Sequence, residues 1–304
     1  MSVILLVDNG SVRAAATKQL RKLAESLSQL SGQTIHPVSF KHANKIKAEE
    51  IDNIPADIFS TFMEKKLSQG EREFILLPLF FGASKALTSL VPEQVELLKQ
   101  QYGDFELRIA DVVYPLPDGD KHLVDIVYKH IIETARIKQF PLNNIVLIDH
   151  GSPIPTVTAV RKHLAIEVQK RLGDTSQLDE AVMERREGKQ YDFNGDLLES
   201  WLTKKAQSGE KSAIVVLLFF LPGRHAGIGG DIVEICEGIM DKYPDFNIAI
   251  SPLISENELL IPLLHSRLLT TPATKRLPCR GCTENCNLYS VCGGKPWRLS
   301  EAIL

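Results

Sequence analysis

The chain contains one segment twice, so any fold assigned to it must be built from two copies of one unit. Residues Asp57 to Phe81 align without a gap with residues Asp196 to Phe220, at an offset of 139, and nine of the twenty-five positions are identical. The starts of the copies also match, because LLVDNGS at 5–11 faces VLIDHGS at 146–152 at an offset of 141. The 304 residues, 44% hydrophobic, therefore suit two domains that each bury a core.

Both copies alternate short apolar runs with amphipathic segments, a pattern typical of an α/β fold with a parallel sheet covered on both faces. We predict an N-terminal domain over 1–138, a C-terminal domain over 139–272 and a cysteine-rich tail over 273–304, with a hinge at about Lys138 to Asn144. The predicted strands are 3–7, 35–40, 74–80 and 106–110 in the first copy and 145–148, 213–219 and 247–250 in the second.

Two histidines occupy strand ends in the second copy only. His150 directly follows the first predicted strand of that copy, and His225 follows the third by a few residues. Parallel sheets bind ligands at the carboxyl ends of their strands, so the two side chains are expected to converge there. Neutral imidazole binds divalent metals and also accepts protons near neutral pH. The first copy has Asn9 and Ala86 instead, which predicts a degenerate domain that is a structural half or a substrate-cleft wall. The alternative is that the histidines are ordinary loop residues.

Composition argues against several classes of function. The formal net charge is -3 and no long basic run occurs, which argues against nucleic-acid binding. No stretch approaches the roughly 18 apolar residues of a membrane helix, and MSVILLVDNGS does not read as a signal peptide. We therefore expect a cytoplasmic protein with reduced thiols and no membrane or nucleic-acid partner.

Four cysteines near the end of the chain form a separate pattern. Their spacing is C-x2-C-x3-C-x5-C, and compact runs of this kind are commoner for iron–sulfur clusters than for structural zinc. A [4Fe–4S] cluster is favoured, while zinc, disulfides or free thiols stay open as alternatives. The proposed ligands are Cys279, Cys282, Cys286 and Cys292.

The motifs DHGS and LFFLPGRHAGIGGDI, together with the half-size repeats, resemble the ATP-independent chelatases of the CbiX/SirB type, which include sirohydrochlorin cobaltochelatase and ferrochelatase. The resemblance implies two flavodoxin-like halves and one active site per chain. It assigns metal holding and proton acceptance to His150 and His225. Some members of this family carry a C-terminal iron–sulfur centre, which agrees with the cysteine pattern.

The same resemblance implies additional site residues. Glu184 and Asp231 are candidate metal ligands, although HAGIGGDI has two more residues before Asp231 than the family usually has. Guanidinium groups bind carboxylates bidentately, and early tetrapyrroles carry many carboxylates. The candidate substrate-binding residues are Gly223, Arg224, Arg185 and Arg186.

Three functions fit these residues. The first is ATP-independent insertion of Co²⁺ or Fe²⁺ into sirohydrochlorin, a tetrapyrrole, in cobalamin or siroheme biosynthesis. The alternative is a non-catalytic tetrapyrrole or metal carrier or sensor with an iron–sulfur centre. A chelatase for nickel or for another macrocycle would use the same residues, because metal selectivity rests on geometry and supply. A tandem duplication often replaces a homodimer, so we expect a monomer or weak oligomer.

Overall fold

The computed structural model describes residues 2–271, which form two compact units. The first unit comprises residues 2–115 with 261–271, and the second comprises residues 116–260. The four tail cysteines and the cluster predicted for them lie outside the described residues. The predicted domains 1–138 and 139–272 follow the duplication, whereas the compact units divide the chain at residue 115 and include the last described residues in the first unit.

The first unit contains a four-stranded parallel sheet with strand order β2-β1-β3-β4. Its regular elements are β1 (Val3–Asp8), α1 (Ala14–Ser31), β2 (Ile35–Ser39), α2 (Phe59–Ser68), β3 (Glu73–Pro78), α3 (Val91–Tyr102) and β4 (Glu106–Ile109). Short 3-10 turns cover Ala43–Lys45 and Ala48–Ile51, and a π-helical turn, Ala86–Leu90, leads into α3.

The second unit contains a five-stranded parallel sheet with strand order β7-β6-β5-β8-β9. Its elements are α4 (Lys121–Lys138), β5 (Ile145–Asp149), α5 (Pro155–Leu172), β6 (Leu178–Val182), a 3-10 turn (Lys189–Asn194), β7 (Asp196–Leu197), α6 (Leu198–Gln207), β8 (Ser212–Leu217), α7 (Asp231–Lys242), β9 (Asn247–Ile250) and a 3-10 turn (Ile254–Glu256). Within the described residues, the last helix is α8 (Leu260–Leu269).

The fold class predicted from the sequence is confirmed, with two parallel-sheet α/β units. All seven predicted strands exist, with ends that differ by at most two residues from those observed. The prediction missed β6, because Asp179 and Glu180 interrupt its apolar character, and it missed β7, which has only two residues.

The first helix of each repeat buries one face against its sheet. Helices α1 and α5 both have 18 residues and both follow the first strand of their sheet. Leu20, Leu23 and Leu27 of α1 are buried, as are Val160, Leu164 and Val168 of α5. The apolar stripe of α1 extends one turn beyond its buried face, because Leu30 is 50% exposed near the end of the helix.

Each unit has its own core between its sheet and its helices. In the first unit the central strands β1 and β3 are almost fully buried, and α2 and α3 pack on them. In the second unit β5 and β8 occupy the corresponding places, and α6 and α7 pack on them. Strands buried on both faces explain the continuous apolar runs in the sequence. Within residues 2–271, none of the helices combines the length and apolar character needed to cross a bilayer.

Candidate metal site

Three side chains converge at the carboxyl end of the second sheet. His150 is the first residue after β5, Glu184 is the second residue after β6, and His225 lies in the loop between β8 and α7. One potential ligand atom from each residue lies within 4.8 Å of the other two. These strands are neighbours in the sheet, so their carboxyl ends bring together residues that are far apart in sequence.

The hydrogen bonds of the two imidazoles leave one ring nitrogen of each available to a cation. Nε2 of His225 lies 3.7 Å from Oε1 of Glu184, and the two imidazole rings are nearly perpendicular with centroids 4.6 Å apart. Nδ1 of His150 donates to the carbonyl oxygen of Gly151 at 3.2 Å, which leaves its Nε2 with a free lone pair. Two imidazole nitrogens and one carboxylate oxygen suit cobalt, iron, nickel or zinc.

Asp231 holds the His225 ring from its other side. Oδ2 of Asp231 accepts from Nδ1 of His225 at 2.8 Å, so the Nε2 atom points toward Glu184. A carboxylate that binds the second nitrogen of a ligating histidine fixes its tautomer and raises its basicity. Asp231 is outside the group of three, and the role of a metal ligand expected for it stays a prediction.

The loop that carries His225 is closed by its own backbone. The amide of Ile232 donates to the carbonyl of His225 at 3.0 Å, and the amide of Asp231 donates to the carbonyl of Arg224 at 3.0 Å. A Cβ atom on Gly230 would lie 2.8 Å from the carbonyl oxygen of His225, so this position requires glycine. The imidazole of His225 is only 13% exposed, which matches the tight packing of this loop.

His150 and Glu184 are attached to each other through the backbone. The amide of Glu184 donates to the carbonyl of His150 at 3.0 Å, and the amide of Met183 donates to the carbonyl of Asp149 at 3.0 Å. Gly151 has a φ of +87°, and a Cβ atom there would lie 1.9 Å from the carbonyl oxygen of Glu184. The glycine of the DHGS motif is therefore required for the close approach of the two ligand-bearing loops.

The predicted substrate-binding residues lie around the three ligands and have partners of their own. Nε of Arg224 lies 3.4 Å from Oδ2 of Asp231, while the Arg224 side chain stays 74% exposed. Arg185 donates to the carbonyl of Gly195 at 3.0 Å, and Arg186 lies over the ring of Tyr191. The amide of Gly223 donates to the carbonyl of Ala226 at 2.7 Å, so this glycine belongs to the His225 turn. Their role toward a substrate stays a prediction.

The sequence reasoning missed Arg161 and Asn194, which lie behind the His150 loop. Arg161 is 1% exposed and its guanidinium contacts Asp149, while the side chain of Asn194 contacts Ser152. The sequence contained a signal for Arg161, because it lies one position from Val160 on the buried face of α5, where an arginine is unusual. Asn194 had no comparable signal.

Two imidazoles and a carboxylate at the ends of adjacent strands of a parallel α/β unit form a candidate metal site. The model of the CbiX family matches residues 3–134 and again residues 144–271. The chain therefore belongs to the CbiX family, as the sequence motifs predicted, and the family occurs in it as two tandem units. No curated protein sequence matches the chain significantly.

Solved structures of chelatases share this fold. SirB from Bacillus subtilis with Fe³⁺ superposes with a TM-score of 0.66 at 15% identity, over 90% of this chain and 97% of that one. The sirohydrochlorin chelatase SirB from Bacillus subtilis subspecies spizizenii, in complex with cobalt, superposes with a TM-score of 0.62 at 14% identity, over 89% of this chain and 95% of that one. CbiX, the terminal enzyme for biosynthesis of siroheme in denitrifying bacteria, superposes with a TM-score of 0.57 at 12% identity, over 90% of this chain and 100% of that one.

Proposed function

We propose that this protein inserts a divalent metal, Co²⁺ or Fe²⁺, into sirohydrochlorin without ATP. The observation that carries the proposal is the group formed by His150, Glu184 and His225 at the carboxyl end of the second sheet. Membership of the CbiX family supports it, as does the likeness to chelatase structures with iron or cobalt bound. The metal is a substrate here, and the three side chains hold it before transfer.

The chemistry of insertion accounts for both histidines. An incoming metal replaces two protons on pyrrole nitrogens, and the Nε2 lone pair of an imidazole binds either a metal or a proton. As the metal leaves, His150 and His225 each regain a lone pair and can accept one proton. The net charge of the site is the same before and after, because two protons replace one divalent cation beside Glu184. No charge then has to enter or leave the site during the step.

Asp231 and Arg224 complete the arrangement. The carboxylate of Asp231 binds Nδ1 of His225 at 2.8 Å, so it stabilises the positive charge that this imidazole gains on protonation. Arg224 has a largely exposed guanidinium next to the site, and we propose that it binds a carboxylate of the macrocycle, with Arg185 and Arg186 in a similar role. The glycines of the His225 loop let the backbone approach a flat ring.

The experiment is an anaerobic absorbance time course of sirohydrochlorin with Co²⁺ or Fe²⁺. The wild type should accelerate the spectral change over the reaction without protein, and His150→Ala and His225→Ala should each lower the rate by about 100-fold or more, since each loses a ligand and a proton acceptor. His122→Ala is the control, because His122 lies in the same unit and bonds to Asp120 outside the site.

Two outcomes would contradict the proposal. Full activity in both site variants would mean that the metal is held elsewhere. Tight binding of sirohydrochlorin or of metal by the wild type, with no acceleration, would favour the carrier or sensor. Competition between Co²⁺, Fe²⁺ and Ni²⁺ in the same assay identifies the preferred metal. Replacing sirohydrochlorin by other macrocycles tests whether the protein is a chelatase for a different tetrapyrrole.

We also propose that Cys279, Cys282, Cys286 and Cys292 bind a [4Fe–4S] cluster, on the strength of their spacing alone. Anaerobic reconstitution should give about four irons and four sulfides per chain, and a Cys282→Ser/Cys286→Ser variant should give fewer. Zinc at one per chain, with no sulfide, would contradict the cluster. The cytoplasmic location and the monomeric or weakly associated state stay predictions.

A further inference from the structure

Arg161 has an unusual environment for a guanidinium group. It is 1% exposed and ranks first by volume among the fully buried side chains of the described residues. Nη1 donates to Oδ1 of Asp149 at 2.6 Å, Nε donates to Oε2 of Glu180 at 3.0 Å, and Nη2 donates to the backbone carbonyl of Asn194 at 2.7 Å. Burying a charge is costly unless it is paired and hydrogen-bonded, and here every nitrogen of the fork has a partner.

These contacts hold the backbone on both sides of His150. The Oδ1 atom of Asp149 that binds Arg161 also accepts from the amide of Gly151 at 2.9 Å. The side chain of Asn194 accepts from the amide of Ser152 at 3.0 Å and donates to the carbonyl of Ser152 at 2.9 Å. Asp149 is therefore bound to Arg161, Gly151 is bound to the same carboxylate oxygen of Asp149, and Ser152 is bound to Asn194. His150 lies between these three residues.

The first unit provides an internal control. Gly10 has a φ of +89° and approaches the carbonyl of Lys41 as Gly151 approaches that of Glu184. Both first strands pair with their neighbours in the same register, so Pro37 stands where Glu180 stands. At the offset of 141, Leu20 of α1 corresponds to Arg161 of α5. The loop backbone thus forms without a buried arginine, and the arginine occurs in the copy that has the histidines.

We propose that Arg161 and Asn194 are positioning residues that fix the His150 loop so that its imidazole meets Glu184 and His225 at the distance a metal requires. The inference rests on the proposed metal site but not on the identity of the macrocycle. A site of this kind needs its ligands held to within roughly 0.5 Å, and loss of an outer contact typically costs about 10- to 100-fold in metal affinity.

The test measures Co²⁺ binding and the visible absorption spectrum of bound Co²⁺, which reports the arrangement of its ligands. Arg161→Met removes the fork, Arg161→Lys keeps its charge, and Asn194→Asp places a second acceptor against the carbonyl of Ser152. We expect Arg161→Met and Asn194→Asp to weaken Co²⁺ binding by about 10- to 100-fold and to change the spectrum. Arg161→Lys should recover only part of the affinity, because an ammonium cannot satisfy three acceptors in one plane.

The control is Arg21→Met in the first unit. Arg21 also donates to backbone carbonyls, those of Ile51 at 2.8 Å and Ile54 at 2.6 Å. Its loss should therefore lower the stability of the fold without changing the contacts of the His150 loop. Folding of every variant is checked by circular dichroism, and if Arg161→Met fails to fold, Asn194→Asp decides. Wild-type affinity and spectrum in folded Arg161→Met or Asn194→Asp would overturn the inference, as would equal weakening in Arg21→Met.

The same data separate this inference from the proposed function. If the wild type binds Co²⁺ with a spectrum that depends on Arg161 and Asn194 but does not insert metal into sirohydrochlorin, the positioning role stands and the chelatase activity fails. If insertion occurs and both variants bind Co²⁺ as the wild type does, the activity stands and the positioning role fails.

Discussion

The loops that follow β1 and β5 have nearly the same backbone geometry but carry different side chains. Gly10 and Gly151 have φ values of +89° and +87°, and each leaves room only for a backbone carbonyl, that of Lys41 in one copy and that of Glu184 in the other. An asparagine, Asn9, precedes the first glycine and His150 precedes the second. The repeat thus has the turn in both copies and the candidate metal ligands in one.

The difference extends to charge and to packing behind the loop. The position of Glu184 is taken by Lys41 in the first unit, so a candidate ligand is replaced by a cation that would repel a metal. Behind the loop, Asp149 is paired with buried Arg161, whereas Asp8 is buried with only Ser39 as a side-chain partner within the described residues. The fold of the loop therefore does not determine its chemistry, and the two properties can be changed separately.

The largest effect is expected when the second unit is given the side chains of the first. In His150→Asn/Glu184→Lys/His225→Ala all three ligands are lost and a cation is added, so Co²⁺ affinity should fall by about 1000-fold or more, or roughly 4 kcal/mol. Isothermal titration calorimetry measures the change. Asn9→Ala/Lys41→Ala is the control in the first unit and should bind Co²⁺ as the wild type does. A loss of binding in this control would mean that the first unit holds a metal too.

A matched pair of glycine variants tests whether the shared turn has a separate role in each copy. Gly10→Ala and Gly151→Ala place a Cβ 1.8 and 1.9 Å from a backbone oxygen, at a φ that strains any other residue. Each should lower the free energy of unfolding by about 2 kcal/mol or more, as thermal denaturation would report. Only Gly151→Ala should also weaken Co²⁺ binding, because only that turn carries a histidine. Equal effects of both variants on Co²⁺ binding would contradict the comparison.

A smaller effect is expected from Asp231, whose position in the first copy is not occupied by a carboxylate. Asp231→Asn keeps the shape of the side chain but removes the charge that orients Nδ1 of His225 at 2.8 Å. We expect Co²⁺ affinity to fall by about 10-fold, with little change in thermal stability. Asp241→Asn on the same helix is the control. Unchanged affinity in Asp231→Asn would mean that the loop backbone alone orients His225.

The fold and the two histidines could be read from the sequence because both leave strong local patterns. Strands buried on both faces give continuous apolar runs, and a duplication that lacks its histidines in one copy marks them in the other. Strand β6 was missed because two acidic residues interrupt its apolar run, Glu180, which binds Arg161, and Asp179, which binds Trp201. Asn194 was missed because its role depends on a hydrogen bond to Ser152, 42 residues earlier, which no local pattern encodes.

The smallest expected effect concerns the two aspartates that end β1 and β5, and it should have opposite signs in the two copies. Burial raises the pKa of Asp8 above its ordinary value, against the hydrogen bond from Ser39 that lowers it. The folded state therefore binds this proton more tightly than the unfolded state. Its contribution to stability is present below the unfolded pKa and is lost as pH rises through the folded pKa.

At pH 7 the first copy should therefore be more stable with asparagine than with aspartate at position 8. Asp8→Asn should raise the midpoint of thermal unfolding slightly at pH 7 and reduce the difference between pH 4 and pH 7. Asp149→Asn should lower the midpoint modestly, because it removes one of the two carboxylates that pair with buried Arg161 and leaves Glu180 in place. Thermal denaturation from pH 4 to pH 8 measures both. If Asp8→Asn lowers the midpoint as much as Asp149→Asn does, the two aspartates have the same effect on stability, and the expected difference between the two copies is contradicted.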